Sequence, residues 1–347
     1  MSGIVGYGVY IPKYRIKVEE IAATWKKDAS EIISGLKVHQ KSVPSEDEDA
    51  VTMGIEASRN ALSYAGLSAN KIQAVFVGSE SHPYVVNPTS TTIADLLGFG
   101  HNLFAADFEF ACKAATAALQ LTASFVKSKS IDYGLIIGSD TAQAKPHDAL
   151  EYTAGSAAAA YLVGGLQSEI IAKIIDTVSY SSDTPDFWRR EGIKFPSHAG
   201  RFTGEPAYFA HIFGASKIIF KKNKVKPEDF TYCVFHMPNG KFPRVAAREL
   251  GFSDHQLAPS LIVDHIGNPY SASALTGLAA VLDIAKPHEK IFVASYGSGA
   301  GSDAFILEVT QNISKKDRSK ITVSSYLEQS EYISYIEFLR KTYLHLL

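Results

Sequence analysis

The stretch FACKAATAALQLTASF, residues 110–125, decides the fold of this chain, because its pattern returns 156 positions further on. After that shift, the small residues that follow Cys112 fall on the small residues of PYSASALTGLAAV, residues 269–281. Cys112 itself falls on Asn268. One such match could arise by chance, so its value depends on whether neighbouring segments obey the same shift.

The strand-like segments on both sides of this stretch do obey it. Residues 74–79 (AVFVGS) fall on residues 230–235 (FTYCVF), and residues 135–139 (LIIGS) fall on residues 291–295 (IFVAS). The two segments reached by the shift are again rich in β-branched or aromatic residues, which favour strands. Three segments in register indicate a duplicated unit in which strands alternate with helices, and hence an α/β fold.

Residues with catalytic chemistry follow the same shift. Glu80 falls on His236, as Cys112 falls on Asn268, and the members of each half are 32 positions apart. Because equivalent positions of a duplicated unit meet around a pseudo-twofold axis, these four residues predict one shared site.

The duplication also predicts the organisation of the 347-residue chain, which is long enough for a large core. We expect an N-terminal half at residues 1–166, a connecting loop region at 167–204 and a C-terminal half at 205–310. A C-terminal extension, residues 311–347, follows. The two halves are expected to form one compact body.

The bulk composition narrows the class of ligand and partner. A formal net charge of -2 excludes a general attraction for nucleic acid or for an anionic membrane, although local basic clusters can still bind phosphate. The chain begins with a strand pattern instead of a leader, which predicts a cytoplasmic location. The cysteines, Cys112 and Cys233, stand far apart and in no metal-binding spacing, so we predict neither a disulfide nor a metal site.

Cys112 is the candidate nucleophile. It stands where a strand pattern changes to a helix pattern, and the positive end of a helix favours a thiolate. The alternative is a cysteine that only fills a packed core. Cys233 lies within the strand pattern FTYCVFH, where the core interpretation is the better one.

His236 and Asn268 are each ambiguous when taken alone. His236 ends a strand pattern, where ligands of α/β sheets usually bind, but it could also cap a loop. Asn268 precedes a proline and could simply form a turn. Together with Cys112 they provide two donors beside a nucleophile, as a thioester carbonyl with developing negative charge requires.

These motifs resemble the thiolase-fold condensing enzymes, in FEFACKAAT (108–116), FHMPNGK (235–241) and GNPYSAS (267–273). VGSESHP (77–83) narrows the resemblance to hydroxymethylglutaryl-CoA synthases of the short archaeal type, since ketoacyl-carrier-protein synthase III lacks this glutamate. The resemblance covers nearly the whole chain. It implies a thiolase fold, with duplicated βαβαβαββ halves that form an αβαβα layered sandwich.

The resemblance also implies a reaction. Cys112 takes acetyl from acetyl-CoA, Glu80 removes a proton from the acetyl methyl, and the methyl attacks the ketone of acetoacetyl-CoA. His236 positions acetoacetyl-CoA and protonates its ketone oxygen, while Asn268 orients the thioester or the histidine. Hydrolysis releases 3-hydroxy-3-methylglutaryl-CoA, an early step of the mevalonate route to isoprenoids, with no metal or further cofactor.

Two other functions stay open at this point. A decarboxylative condensing enzyme like ketoacyl-carrier-protein synthase III would use Cys112, His236 and Asn268 without needing Glu80. A non-catalytic relative would hold acyl-CoA as a scaffold, because a fold does not fix a function.

The phosphates of coenzyme A require cations near the entrance of the site. Lys241, Arg244 and Arg248 follow His236 at spacings of three and four residues, hence on one helix face, and Arg201 is a further candidate. A solvated helix face is the ordinary alternative. The resemblance adds residues that line the acyl or pantetheine pocket, beside His236 and Asn268: Asp28, Ala29, Thr153, Thr203 and Ser298.

Partners are implied only by the resemblance. Thiolase-fold proteins generally form homodimers by joining their central sheets. The short archaeal type is found with acetoacetyl-CoA thiolase and a small DUF35 protein, so we expect a homodimer that can enter such a complex.

Overall fold

A computed structural model describes residues 1–141, 144–317 and 322–343 of the chain. Its strands are β1 Gly3–Tyr10, β2 Tyr14–Lys17, β3 Gln40–Val43, β4 Ala74–Gly78, β5 Phe104–Phe108, β6 Tyr133–Asp140, β7 Ala157–Gly164, β8 Ala172–Thr184, β9 Phe187–Trp188, β10 Ser197–His198, β11 Tyr232–Phe235, β12 Lys290–Ala294, β13 Gly299–Val309 and β14 Glu331–Tyr332.

The helices separate these strands as the sequence predicts for an α/β chain. They are α1 Val18–Thr24, α2 Ala29–Leu36, α3 Ala50–Ala65, α4 Thr89–Leu96, α5 Ala114–Lys127, α6 Phe209–Asn223, α7 Lys241–Leu250, α8 Asp254–Leu257, α9 Val263–Ile266, α10 Ser273–Ile284, α11 Val323–Glu328 and α12 Tyr335–Tyr343. None of the helices within the described ranges has the length and apolar composition that a membrane span needs.

The duplication is visible in the order of the strands. In the described residues the main sheet runs β11-β12-β13-β8-β1-β7-β6-β4-β5, with the strands of the two halves on either side of the β8–β1 pair. In the first half β4 pairs parallel to β6, which pairs antiparallel to β7. In the second half β11 pairs parallel to β12, which pairs antiparallel to β13.

Three hydrophobic clusters show how the layers stack. Alternate residues of β4 point to opposite faces, as in any strand: Val75 and Val77 pack outward with residues of α3, and Phe76 packs inward with residues of α5 and α10. On the far side, Phe292 of β12 packs outward with Ile212 of α6. The order is therefore helices, sheet, α5 and α10, sheet, helices, which is the αβαβα sandwich of the thiolase fold.

Small residues let the central helices approach the strands closely. A Cβ on Gly78 of β4 would lie 2.3 Å from the Ala115 nitrogen, and a Cβ on Gly138 of β6 would lie 2.7 Å from the Ser271 carbonyl oxygen. The starts of α5 and α10 are thereby held against the carboxyl ends of these strands, where the predicted site residues are found.

The connecting region contains more regular structure than the sequence indicates. Residues 172–184 form β8, which pairs along almost its whole length with β13 and also meets β1. The expected loop character of residues 167–204 is therefore wrong for this segment. Much of β8 is polar and exposed, so backbone pairing with β13, and not an apolar pattern, determines its conformation.

The C-terminal extension packs on the body of the chain. β14 pairs with β2, and in α12 Phe338 is buried while the Tyr335 hydroxyl donates a 2.6 Å hydrogen bond to Glu151. The part of the expected extension at 318–321 and 344–347 lies outside the described residues.

Candidate active site

Cys112 lies in a tight turn that joins β5 to α5. The preceding Ala111 has a positive φ of 43°, and Cys112 forms part of a short 3-10 turn directly before the helix. The side chain is almost enclosed, with 7% of the residue exposed. Its Sγ lies 3.0 Å from Glu80 Oε1, so the structure brings together the two first-half residues that the sequence singles out.

Glu80 follows β4 and is anchored through its backbone by a second carboxylate. The Glu80 amide donates a 2.7 Å hydrogen bond to Asp140 Oδ1, which also accepts hydrogen bonds from the hydroxyls of Ser79 and Ser81. The other carboxylate oxygen of Asp140 accepts from the backbone nitrogen and the hydroxyl of Ser271, which lies in the turn just before α10. Asp140 therefore connects the carboxyl ends of β4 and β6 to the second half.

Burial changes the ionisation of both first-half groups. Burial, helped by the neighbouring charge of Asp140, raises the pKa of Glu80 to about 8. Burial and then Glu80 raise the pKa of the Cys112 thiol well above its usual value. The expectation that the helix start makes Cys112 a thiolate is therefore wrong for this state, because loss of solvent outweighs the helix dipole. Cys112 is a thiol that donates to Glu80.

His236 follows β11 and is also enclosed. Its backbone nitrogen donates to the Ala294 carbonyl, and its ring lies between Tyr208 and Tyr296, with centroids 6.5 and 6.2 Å away. Burial lowers the pKa of His236 to about 3, so the imidazole is neutral at physiological pH. The buried Nδ1 has no hydrogen-bond partner among the described residues, which leaves it available to a ligand.

Asn268 and Thr153 are held next to each other. The backbone nitrogen of Asn268 donates to the Thr153 carbonyl at 2.6 Å, and the side-chain Oδ1 of Asn268 accepts from the Tyr270 backbone nitrogen at 2.9 Å. Tyr270 packs in one cluster with Cys112 and Ala154. The second-half asparagine and the predicted pocket residue Thr153 are therefore neighbours of the nucleophile turn.

Ser298 and Thr203 both contact Asp186, a buried residue that the sequence analysis missed. Asp186 accepts hydrogen bonds from the hydroxyls of Ser298 and Tyr296, at 3.0 and 2.8 Å, and its carbonyl accepts from Thr203 Oγ1. Tyr296 in turn lies beside His236. The signal in the sequence was an acid followed by aromatic and basic residues in PDFWRR, inside the stretch interpreted as a connection.

A cavity of about 130 Å³ opens onto Glu80. Phe187, Trp188 and Arg189 line it together with Ala111, and the charge of Arg189 acts to lower the pKa of Glu80, although burial outweighs it. A larger cavity of about 720 Å³ lies near Met1 and Tyr133, at the amino end of β6 and away from the four predicted residues. The smaller cavity is the better candidate because it reaches the reactive groups.

The predicted cations have different surroundings. Lys241, Arg248 and Arg201 are exposed, the first at the start of α7. Arg244 forms a bidentate ion pair with Asp264, in which Nη1 lies 3.1 Å from Oδ1 and Nη2 lies 2.5 Å from Oδ2. Its role with coenzyme A stays a prediction, in competition with this ion pair.

Asp28 and Ala29 lie at the start of α2. Asp28 is exposed and caps the helix, since its carboxylate accepts hydrogen bonds from the amides of Ser30 and Glu31. A hydrogen bond from the Ser30 hydroxyl, together with those from these two amides, lowers the pKa of Asp28. The role of Asp28 and Ala29 in the acyl or pantetheine pocket stays a prediction.

Across the described ranges, no group of three or more His, Cys, Asp or Glu side chains is arranged to hold a metal ion.

Known proteins resemble the chain along nearly its whole length. It is 55% identical over 336 residues to a hydroxymethylglutaryl-CoA synthase of Methanocaldococcus jannaschii, with 96% of each chain covered. It is 53% identical over 340 residues to the synthase of Archaeoglobus fulgidus, with 98% of each covered. A family model described as the 3-Oxoacyl-[acyl-carrier-protein (ACP)] synthase III C terminal matches residues 220–309.

Solved structures share the fold at lower sequence identity. An HMG-CoA synthase complexed with CoA superimposes with a TM-score of 0.89 at 22% identity, covering 99% of this chain and 90% of that one. A second structure, MvaS in complex with 3-hydroxy-3-methylglutaryl coenzyme A, has a TM-score of 0.90 at 22% identity and covers 99% and 91%.

Proposed function

This chain belongs to the hydroxymethylglutaryl-CoA synthase family, whose reaction joins acetyl-CoA, acetoacetyl-CoA and water into 3-hydroxy-3-methylglutaryl-CoA and CoA, and we propose that it proceeds here through an acetyl thioester on Cys112. The chain is therefore an acyltransferase. The observation that carries the proposal is the 3.0 Å hydrogen bond from the Cys112 thiol to the Glu80 carboxylate.

The first step is the transfer of acetyl to sulfur. Glu80 accepts the thiol proton as Cys112 attacks the thioester carbonyl of acetyl-CoA, and the C–S bond to coenzyme A breaks. The protonated Glu80 then gives this proton to the departing thiolate, so free CoA leaves and Glu80 is again a carboxylate. With a pKa of about 8, Glu80 is mostly the carboxylic acid at neutral pH, so the minority carboxylate form accepts the thiol proton and the resulting acid readily returns it to the departing thiolate.

The second step forms the carbon–carbon bond. Glu80 removes a proton from the acetyl methyl, and the resulting carbanion attacks the ketone carbon of acetoacetyl-CoA. His236, with a pKa of about 3, is neutral and a poor proton donor, so in place of the protonation expected from the resemblance we assign it a hydrogen bond to the developing alkoxide. The proton comes from the Glu80 carboxylic acid. Water then hydrolyses the thioester and frees Cys112.

The remaining predicted residues receive roles that their positions support. Asn268, fixed by Thr153 and Tyr270, orients the thioester beside the nucleophile turn. Lys241, Arg248 and Arg201 are exposed and can meet the phosphates of coenzyme A, whereas Arg244 would first have to leave Asp264. We propose Asp28, Ala29, Thr203 and Ser298 as lining residues of the acyl or pantetheine pocket. No cofactor other than the thioesters enters the scheme.

Product analysis of a Glu80→Ala variant tests the assignment. Loss of condensation between acetyl-CoA and acetoacetyl-CoA is expected, because no decarboxylation generates the carbanion. Full condensation in this variant would instead favour a decarboxylative enzyme, the alternative that the match to residues 220–309 keeps open. Absence of any acetyl label on Cys112 in the unaltered chain would favour the acyl-CoA-binding scaffold.

The edge of the sheet supports a homodimer. β5 is the last strand of the main sheet, and its backbone edge would be free to pair with a second copy. Phe104 on this strand is 51% exposed, and the loop after Glu80 exposes Tyr84, Val85 and Val86. We propose that two copies join here. Size-exclusion chromatography of a Phe104→Glu variant should return a monomer.

A complex with acetoacetyl-CoA thiolase and a small DUF35 protein, and a cytoplasmic location, also stay proposals. The complex would pass acetoacetyl-CoA directly between sites. Co-purification that returns only a free dimer would reject it.

A further inference from the structure

A buried ion pair lies directly beside the nucleophile. Lys113 Nζ is 3.1 Å from Asp303 Oδ1, and the two side chains are 6% and 0% exposed. Removing two charges from water is expensive, and apolar residues of similar volume in such places are often neutral or stabilising. Stability alone is thus a weak explanation for the presence of this pair. Its position next to Cys112 indicates a role at the nucleophile.

The carboxylate of the pair is held in place by residues of three elements, β13, β8 and α5. Asp303 belongs to β13, which pairs with both β12 and β8. Its Oδ1 accepts a 2.7 Å hydrogen bond from the Ser179 hydroxyl, and its Oδ2 accepts one of 2.9 Å from Thr116 of α5. A fixed carboxylate fixes the ammonium group that it binds.

The same region of the second half contacts the other flank of the nucleophile turn. The Lys113 ammonium lies 4.0 Å from the ring centroid of Phe110, the residue two positions before Cys112. A Cβ on Gly301 would lie 2.9 Å from that ring, and a Cβ on Gly297 would lie 2.5 Å from the Phe110 carbonyl oxygen. The glycines just before and at the start of β13 therefore leave just enough room for the nucleophile turn.

The turn itself needs such support. Ala111 has a positive φ, which is unfavourable for a residue with a side chain and persists only where the surroundings enforce it. In the second half the equivalent position is Gly267, which adopts a positive φ without this penalty, and proline stands where Lys113 does. The positive φ before the key residue therefore falls on a glycine in the second turn and on an alanine in the first, so the first turn depends more on the contacts that Phe110 and Lys113 make with the second half.

We propose that the Lys113–Asp303 pair is a positioning device that holds the Cys112 thiol at hydrogen-bond distance from the Glu80 carboxylate. The pair does not touch the reacting atoms. It acts on the turn, so its loss lets Sγ move away from the base while the substrate pocket stays intact. The kinetic consequence rests on the proposed function, but the geometric one does not.

The test compares Lys113→Met, Asp303→Leu and the double variant. Each single variant leaves one buried charge unpaired and should unfold at a lower temperature than the unaltered protein, whereas the double variant should regain most of the loss. Acetyl transfer in the double variant should nevertheless stay about 100-fold slower than in the unaltered protein, with little change in KM for acetyl-CoA. A small misplacement of the nucleophile has effects of this size.

Alkylation of Cys112 by iodoacetamide, followed by mass spectrometry across the neutral and alkaline pH range, provides a second measurement. In the unaltered protein the rate should follow a coupled titration of two groups, because the thiol and Glu80 share a proton. The double variant should instead show the single transition of an isolated thiol. This readout needs no condensation, so it stays decisive even if the unaltered protein makes no 3-hydroxy-3-methylglutaryl-CoA, a result that would reject only the proposed function.

A second Lys–Asp pair, with side chains 55% and 19% exposed, serves as a control for the substitutions themselves. Lys222 and Asp176 are 2.7 Å apart on α6 and β8, and Lys222→Met with Asp176→Leu should change neither readout. If the double variant at positions 113 and 303 keeps normal acetyl transfer and a coupled alkylation profile, the pair is merely structural and the proposal is overturned. Asp303→Asn keeps partners for Ser179 and Thr116, so a normal profile there would overturn it even if the double variant fails to fold.

Discussion

The turn at Cys112 and the turn at Asn268 occupy equivalent places in the two halves but contribute different chemistry. Each begins after a residue of positive φ, 43° at Ala111 and 72° at Gly267. The first half supplies a thiol and a carboxylate that share a proton, whereas the second supplies an amide and a neutral imidazole. In the proposed scheme, the first half therefore carries out proton transfer and the second half supplies hydrogen bonds, a difference that agrees with the raised pKa of Glu80 and the lowered pKa of His236.

The halves also differ at the outer edge of the sheet. β5 follows β4 in the first half, but the equivalent residues of the second half, 260–264, form the end of a 3-10 turn and part of α9. The second half therefore lacks this strand and ends its side of the sheet at β11. The open edge at β5 is the side from which we expect a dimer to form.

Replacing the first-half nucleophile should have the largest effect. Cys112→Ala should lower condensation by about 10⁴-fold or more, since a covalent route loses its attacking atom. Mass spectrometry after brief exposure to acetyl-CoA should show a gain of about 42 Da on the Cys112 peptide of the unaltered protein, and none in the variant. Cys233→Ala is the control, because Cys233 is buried in the outer core of the second half. A variant at position 112 with near-normal activity would show that the nucleophile is elsewhere.

Glu80→Gln should have the next largest effect and should slow both steps. A fall of about 10²- to 10⁴-fold is expected for the loss of a general base. Because the carboxylate is the active form in methyl deprotonation and its pKa is about 8, the condensation rate of the unaltered protein should rise with pH through this value. Stopped assays of acetyl-enzyme formation and of product separate the steps. A variant that acetylates normally but cannot condense would limit Glu80 to the second step.

His236→Ala tests the other half of the comparison. Removing one hydrogen-bond donor from a developing oxyanion should slow condensation by about 10²- to 10³-fold. Acetylation of Cys112 should persist, because the nucleophile and its base belong to the first half. Equal losses in both steps would show that the division of labour between the halves is wrong.

The sequence alone predicted much of this arrangement, and its failures have physical causes. The constant shift identified β4, α5, α10 and β12 because each depends on a local apolar pattern. β8 was missed because it is a polar strand stabilised by its pairing partners. The prediction that Cys112 is a thiolate was wrong because it rested on the position of the residue at a helix start. That position does not show how far tertiary packing removes water from the side chain.

The carboxylates that organise the site were also beyond local reasoning. Asp140 and Asp186 are held by hydrogen bonds from residues more than fifty positions away, such as Ser271 and Ser298 respectively. Asp140 does follow β6 as Glu80 follows β4, so the rule about carboxyl ends of parallel strands could have indicated it. For Asp186 the only signal in the sequence was the composition of PDFWRR, because its hydrogen-bond partners Tyr296 and Ser298 are more than a hundred positions away.

Asp140→Asn should give a moderate effect that reports on the first half alone. The charge of Asp140 helps to raise the pKa of Glu80, so its removal should lower that pKa and move the rising limb of the pH–rate profile to lower pH. A rate loss of about tenfold at the optimum is expected from looser anchoring of Glu80. Steady-state rates across pH provide the measurement. An unchanged profile would mean that burial alone sets the pKa of Glu80.

The smallest effect is expected at the entrance of the second half. Lys241→Ala should raise KM for acetyl-CoA about fivefold with kcat unchanged, because an exposed cation contributes only about 1 kcal/mol or less to holding a phosphate. Added salt should weaken binding by the unaltered protein toward that of the variant, since exposed charges are screened. Arg244→Met is the informative comparison: its guanidinium is already bound by Asp264, so its loss should lower the unfolding temperature and leave KM nearly unchanged. If Arg244→Met instead raised KM more than Lys241→Ala, the arginine would have to exchange Asp264 for coenzyme A, and the second half would take part in substrate binding by rearrangement.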